Sequence, residues 1–424
     1  MATETALEAD LAAFLGSDPE VMGNPYPLYD RLRETAPVYW HEAAPAHFVT
    51  TYDHVLWALQ NADKIGQGGY QRGSRAEAIL RSLSEADQVL LREVWDFEAH
   101  YVSRNDGEEH DRLRRIAHRA FTPRRIKLLE GSVQRFVDEL LAPWQEGGTV
   151  DVITELGMKL PTMVICDMLS VPAEDRERVR NWADTISRNR GGSDVDALRA
   201  GHRAIQEFRA YVGELVEKLR AEGDGTELAL TLLEAAEDGE RLTEEELVAM
   251  FVILLFAGSE TTTNLIGNGL RQLMLHRDQW ERLCAEPELV DSAVEELLRY
   301  DPPVQFLLKL AEEDLELGGA RIKAGETVIL SLGGANRDPA QFPDPHRLDI
   351  ARKPNRHLAL GFGPHFCLGN ALARLEGQIV FRELSQRWPN LRLAVEPDEL
   401  AWQGNAMLRG LRELPIDLGG PART

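Results

Sequence analysis

Apolar and polar positions recur with the three-to-four-residue period of amphipathic helices through most of the first 300 residues, most clearly over 174–188, 198–221 and 287–300. One stretch departs from this surface-helix pattern. Thr243 is followed three residues later by Glu246, the pairing of a capping box, and the helical pattern continues past Leu270 without a proline. Its middle, 248–256, is apolar nearly all round, which predicts a long central helix buried on most sides. Signals of period two are shorter and fewer, at 47–51, at 315–330 with Gly318-Gly319 as its turn, and at 391–395. The pattern predicts a mainly α protein with a minor β portion (α+β). Turn-like stretches at 191–193 and 223–225 are isolated, and no repeat or Pro/Ser-rich linker divides the sequence. Residues 1–424 are therefore expected to form a single catalytic domain.

Composition narrows the class. Hydrophobic residues at 43% and charged residues at 28% suit a chain with a sizeable core. The formal net charge of -23 argues against a nucleic-acid partner, since such proteins concentrate positive charge to displace counterions. Cys166, Cys284 and Cys367 form no Cys-x-x-Cys pair, so neither a disulfide scaffold nor a zinc ribbon is expected. The N-terminal stretch carries Glu4, Glu8, Asp10 and Asp18 with no basic segment, unlike a secretory signal. The strongly apolar run 248–258 is shorter than the roughly 20 residues of a membrane span, so a cytoplasmic protein without a span is expected.

The strongest chemical signal is Leu360-Gly361-Phe362-Gly363-Pro364-His365-Phe366-Cys367-Leu368-Gly369, followed by a helical pattern over 370–383. A lone cysteine between a glycine-rich loop and a helix start sits near the positive end of a helix dipole, among backbone N–H groups able to support a thiolate. A solitary cysteine is more often an inert small hydrophobe, a reading that suits Cys166 and Cys284. It does not explain the glycines Gly361, Gly363 and Gly369, which would let backbone approach a flat ligand. Cys-x-x-Cys-His is absent, so no covalent c-type haem is expected.

This loop resembles the haem-binding loop of the cytochrome P450 family, with Leu360 where phenylalanine is usual. The resemblance implies a cytochrome P450-like fold with the long helix over haem b, and Cys367 as the axial iron ligand. Ala257-Gly258-Ser259-Glu260-Thr261-Thr262, within the long helix, resembles the family's oxygen-activation motif, with Glu260 and Thr261 in catalytic roles. From the residues alone, the Thr261 hydroxyl can bond the Ala257 carbonyl one turn back, and the helix is expected to bulge there. Glu296 and Arg299, one turn apart, resemble the family's core salt-bridge network, with Arg347 expected to complete it. His110 and Arg114 share a helical face suited to gripping a carboxylate, and resemble the propionate-binding helix. The resemblance adds Lys309, in the place of an expected arginine, and His365. Ala257, Gly361 and Gly369 complete the expected haem contacts.

The resemblance further implies a haem-thiolate monooxygenase that uses O2 to hydroxylate, epoxidise or dealkylate a small, largely apolar molecule. Its pocket would draw on the lid 63–106 with Trp95 and Phe97, on Ile253, on Phe306 and Leu307, and on 405–408 with Met407. The sequence carries no flavin, nicotinamide or iron–sulfur motif, so electrons from NAD(P)H are expected only indirectly, through a ferredoxin-type carrier and its reductase. The arginines and lysine between 112 and 127, a basic island in an acidic chain, are the expected docking patch. Two other readings stay open at this point: a peroxide-driven peroxygenase, and a haem-based sensor without chemistry.

Overall fold

A computed structural model describes residues 2–188, 194–237, 242–403 and 406–419. The turn expected at 191–193 and residue Asn405 lie outside them. The long helix spans Glu244–Leu275 and opens with the capping box: Thr243 accepts from the Glu246 amide while the Glu246 side chain accepts from the Thr243 amide. By length and composition this helix could cross a membrane, which the shorter apolar run did not suggest. It is instead the core of the fold, with Ala249 to Leu255 buried apart from traces, because neighbouring helices cover it on most sides. Lys159–Met168 packs on one flank, Val195–Glu222 on another, and Asn370–Arg387 on a third.

Glycines set how closely these helices approach. A Cβ on Gly258 would come within 3.4 Å of Ile165, one on Gly269 within 2.7 Å of Phe381, and one on Gly377 within 3.4 Å of Leu265. The bulge expected near Gly258 does not interrupt the helix, which stays α-helical throughout. The hydroxyls of Ser259, Thr261 and Thr263 each bond a carbonyl one turn back, so they satisfy the ladder without breaking it. A π turn does occur, in the facing segment Ile153–Gly157, whose Gly157 carbonyl accepts from Thr263 at 2.7 Å.

The β portion is small. Five strands pair in the order Val38–His41, Ala46–Val49, Thr327–Ser331, Phe306–Ala311 and Ile65–Gly66. The Gly318-Gly319 turn joins Leu315–Leu317 to Ala320–Ile322, both glycines taking positive φ as a tight hairpin requires. The strand expected near 391–395 is Arg392–Leu393, in a third sheet.

The salt-bridge network forms with one substitution of partner. Arg299 donates to both oxygens of Glu296 at 2.8 Å, and both side chains are fully buried. The second cation on Glu296 is Arg352, at 3.1 Å, and not Arg347. Arg347 is exposed and meets the network through its carbonyl, which accepts from Arg299 and Arg352. The turn at 344–352 points the Arg347 side chain outward and folds Arg352 back over its own loop carbonyls, those of Pro343, Asp344 and Arg347.

Candidate active site

A cavity of about 320 Å3 lies between the central helix and the cysteine loop. Ala257, Gly258, Thr261 and Thr262 form one wall; Phe366, Cys367, Leu368 and Gly369 form the other. The cysteine loop is built by its own backbone. Gly361 and Gly363 have φ of 72° and 70°, and the Cys367 amide donates back to Leu360 at 2.9 Å. Gly363 has no alternative, since a Cβ there would meet the Leu59 carbonyl oxygen at 2.6 Å. Gly369 is different: a Cβ would meet no protein atom within 4 Å, and the residue borders the cavity. The protein itself does not require glycine at 369; a ligand lying flat against that backbone would.

Cys367 is half-buried, its remaining surface facing the cavity. Burial pushes its thiol up, against the pull of the Gly369 amide and of Arg374 and Arg114. The amide and the two guanidinium groups favour the anion expected for this loop while shielding from water opposes it, and a cation such as iron beside the sulfur would add to the first.

At one end of the cavity, His110 is buried and its Nε2 has no hydrogen-bond partner, while its Nδ1 lies 3.1 Å from Asp111. Its ring packs 4.1 Å from that of His365, and Arg114 donates to the Phe366 carbonyl. His110, Arg114 and His365 all border the cavity, so these three are brought together as expected. Lys309 is not in the wall: it is buried in the strand Phe306–Ala311, where burial lowers its ammonium to about 8 against the opposing charge of Asp106. Gly361 also stays behind the wall, since it shapes the turn.

Two residues here escaped the sequence reading. Asp106 precedes the helix Gly107–Ala120 as a cap residue would, yet its carboxylate takes the Gln67 amide at 2.6 Å and lies 2.8 Å from His365 Nε2. Arg104, paired with Glu98 at 3.1 Å and buried with it, borders the cavity beside Gln67 and Ser103. The position of Asp106 immediately before a helix start was the available signal, read there only as a lid boundary.

The acid–alcohol pair divides. Thr261 borders the cavity and donates to the Ala257 carbonyl at 3.0 Å, whereas Glu260, next on the helix turn, is not among the lining residues. Of the expected substrate contacts, Ile253 and Leu307 line the cavity. Trp95 instead packs with Leu83, Leu91 and Leu198 in a satellite cluster, and Phe97 turns into the core against Tyr101, with the Arg209 guanidinium 4.4 Å over its ring. Phe306 packs on Phe14 and Phe48, and Met407 is buried with its carbonyl held by the Gln305 amide. Large apolar side chains maximise burial, and here the core competes for them successfully.

The residues suit a flat, anionic, metal-bearing ligand: a thiol on one wall, an open strip at Gly369, and an orphan buried imidazole nitrogen with an arginine at the edge. Comparison with known proteins agrees. Residues 84–389 match the family model for Cytochrome P450. The chain is 39% identical over 416 residues to the cytochrome P450 monooxygenase PikC of Streptomyces venezuelae, covering 96% of this chain and 93% of that protein. It is 42% identical over 315 residues to a vitamin D(3) 25-hydroxylase of Pseudonocardia autotrophica, covering 74% and 77%. The crystal structure of P450BioI in complex with hexadec-9Z-enoic acid ligated acyl carrier protein superposes with a TM-score of 0.83 at 34% identity, covering 94% and 99% of the two chains. The chain belongs to the cytochrome P450 family and is a haem-thiolate monooxygenase, with haem b as cofactor and O2 as co-substrate, that oxidises small organic molecules.

Proposed function

We propose that the described residues act as one catalytic unit in which the Cys367 sulfur would hold haem iron and Thr261, on the opposite wall, would serve the oxidation. The observation that carries this reading is the single cavity with Cys367 on one wall and Thr261 on the other. When bound, the haem supplies redox chemistry at iron, and a thiolate ligand favours O–O cleavage. His110, with its Nε2 buried and unpartnered, Arg114 and His365 would hold the carboxylates of the haem. The Gly369 backbone admits the macrocycle face. Thr261 keeps its hydroxyl tied to the Ala257 carbonyl, which leaves its oxygen as an acceptor for cavity water. Glu260, one residue away and outside the wall, serves as a proton source reached through water.

The substrate is a lipophilic molecule, consistent with Ile253, Leu254, Leu307, Leu308 and Val102 in the wall and with the vitamin D(3) and fatty-acyl ligands named for two relatives. Electrons come from a ferredoxin-type carrier and its reductase. Arg124 and Lys127 are exposed beside Leu128, itself 73% exposed, and Phe362 of the cysteine loop is 43% exposed. Exposed basic side chains with an exposed leucine next to them suit an acidic protein carrier. The basic island is smaller than its sequence suggests, because Arg112 pairs with Glu109 and Glu246, and Arg125 with Glu227.

The reduced, carbon monoxide-treated absorption spectrum tests the iron ligand. The far-red Soret band of a thiolate ligand is expected for the native protein and its loss for Cys367→His. Retention of that band in Cys367→His would overturn the assignment. Charge reversal at Arg124 and Lys127 is expected to raise the KM for ferredoxin without altering substrate-induced spectral shifts.

A further inference from the structure

Leu307 and Leu308, which border the cavity, belong to the strand Phe306–Ala311, and what holds that strand lies deeper in the molecule. On one edge it pairs with Thr327–Ser331. Its other edge is held at two points. Leu310 and Ala311 pair with Gly66 and Ile65, and just before Phe306 the residue Val304 pairs with Leu408 while the Gln305 amide donates to the Met407 carbonyl at 2.8 Å. Leu307 and Leu308 stand between the two. The approach to the strand, Pro302-Pro303, has no amide protons, so it cannot secure itself by donating. Arg409 supplies the donor instead, its amide bonding the Pro303 carbonyl at 2.8 Å.

The Arg409 side chain fixes where that approach begins. It is 1% exposed; its Nε donates to Asp301 at 2.9 Å, and its terminal nitrogens donate to the carbonyls of Met22 and Gly23. The guanidinium carbon lies 3.4 Å over the Trp402 ring. Asp301, equally buried, also accepts from the Tyr26 hydroxyl and from Gln272 of the central helix, both at 2.7 Å. One turn earlier on that helix, Asn268 donates to the Arg409 carbonyl at 2.9 Å. One ion pair thus joins the N-terminal segment, the central helix and the two segments 301–305 and 407–409. Such a pair is a poor source of stability, because desolvating both charges offsets most of their attraction. It restricts the arrangement instead, since a displaced partner would leave a charge unpaired in the interior.

We propose that Asp301 and Arg409 are positioning residues for the substrate, whose buried pair locks residues 304–305 in register with 407–408 and so sets how far Leu307 and Leu308 stand into the cavity. Neither is among the described residues lining the cavity, so the effect passes through the strand. The pair thereby selects among lipophilic molecules by shape, and it does so without touching them.

This inference rests on the haem-thiolate reading of the cavity, and the two fail separately. In the haem-loaded native protein, Arg409→Lys and Tyr26→Phe, the reduced carbon monoxide spectrum first reports the thiolate ligand. Spectral titration then gives the Kd of imidazole and of N-phenylimidazole. Both bind iron through a ring nitrogen, and only the second carries an apolar ring to the wall, so their ratio cancels changes at the iron. Lysine keeps the charge of Arg409 but cannot hold Asp301, Met22 and Gly23 at once. Arg409→Lys is expected to weaken N-phenylimidazole relative to imidazole on the order of tenfold, the effect of about one methylene in an apolar pocket. Tyr26→Phe removes one donor to Asp301 and keeps the ring, and is expected to weaken it about fivefold. With Leu307→Ala and Leu308→Ala also present, both changes are expected to shrink to within about twofold, because the wall that transmits them is gone. A pair serving stability alone would lower the melting temperature and leave the ratio native. A native ratio, or changes that simply add to those of the leucine variants, overturns the proposal. Should Arg409→Lys fail to fold, Tyr26→Phe decides by the same two comparisons. An abnormal carbon monoxide spectrum in the native protein overturns the haem-thiolate reading instead.

Discussion

His365 Nε2 lies 2.8 Å from one oxygen of Asp106, whose other oxygen holds the Gln67 amide at 2.6 Å. This pair ties the cysteine loop to the start of the helix that carries His110 and Arg114. Burial alone would raise the Asp106 carboxyl, but the His365 and Gln67 hydrogen bonds and the Lys309 charge hold it below the usual range. Because the folded value is the lower one, the stabilisation is fully present above the ordinary carboxylate pKa. It is lost as pH falls through the folded value. Asp106→Asn is expected to lose about 1–3 kcal/mol at neutral pH. It should also flatten the loss of stability below pH ~4. Urea unfolding at neutral and acid pH measures both, and an acid limb as steep as the native one would count against the pair.

Lys309 gives the opposite sign. Burial lowers its ammonium from 10.5 to about 8, so between those values the unfolded chain binds more protons and stability rises with pH. Below about 8 the unfavourable burial is fully present. Lys309→Met is expected to stabilise the haem-free protein by up to about 3 kcal/mol at neutral pH and to abolish the alkaline rise. Because Lys309 lies outside the cavity wall, the same variant is expected to release haem to an acceptor such as apomyoglobin at the native rate. Denaturation curves from neutral pH to pH ~10.5 check the first outcome, and haem-transfer kinetics the second.

The Glu296 network separates two arginines close in sequence. Removing one partner of a buried pair leaves an uncompensated charge, so Glu296→Ala is expected to cost about 3–5 kcal/mol. Arg352→Ala, which removes a cation 11% exposed, should destabilise clearly. Arg347→Ala should stay within about 0.5 kcal/mol, since its side chain is exposed and the network uses its backbone. Equal effects from the two arginines would contradict the geometry.

Two glycines of the cysteine loop should fail for different reasons. Gly363→Ala forces a Cβ against the Leu59 carbonyl at a positive φ, and is expected to lower stability with or without haem by about 1–3 kcal/mol. Gly369→Leu enters open space at an ordinary φ of -81°, so the haem-free fold should persist while haem content falls. Thermal melts alongside the haem-to-protein absorbance ratio distinguish them. Full haem occupancy in Gly369→Leu would show that the macrocycle lies elsewhere.

The elements legible in the sequence were those set by local rules. A capping box needs residues three apart, a hairpin turn needs consecutive glycines, and a buried helix declares itself by apolar side chains on every face. Hence the central helix, the Gly318-Gly319 turn and the α+β class could be read directly, and the order of motifs around Cys367 pointed to the family. His110, Arg114 and His365 could be singled out because each belongs to a local pattern with a chemical purpose, and all three border the cavity.

Partner choice across distance was not legible. Whether Arg347 or Arg352 meets Glu296 depends on how one turn aims its side chains, and both are arginines in the same loop. Which of Trp95, Phe97, Phe306 and Met407 face the cavity depends on competition with the core, a balance of contacts that no spacing records. Glu376 sits in an ordinary helical stretch with polar neighbours in sequence, Arg374 and Gln378 among them. Only the assembled fold leaves it 1% exposed and on the cavity lining. The sequence determined which residue types stand at which spacing; the tertiary structure decided which of them lose water and which charge each one meets, because desolvation and pairing are properties of the assembled interior.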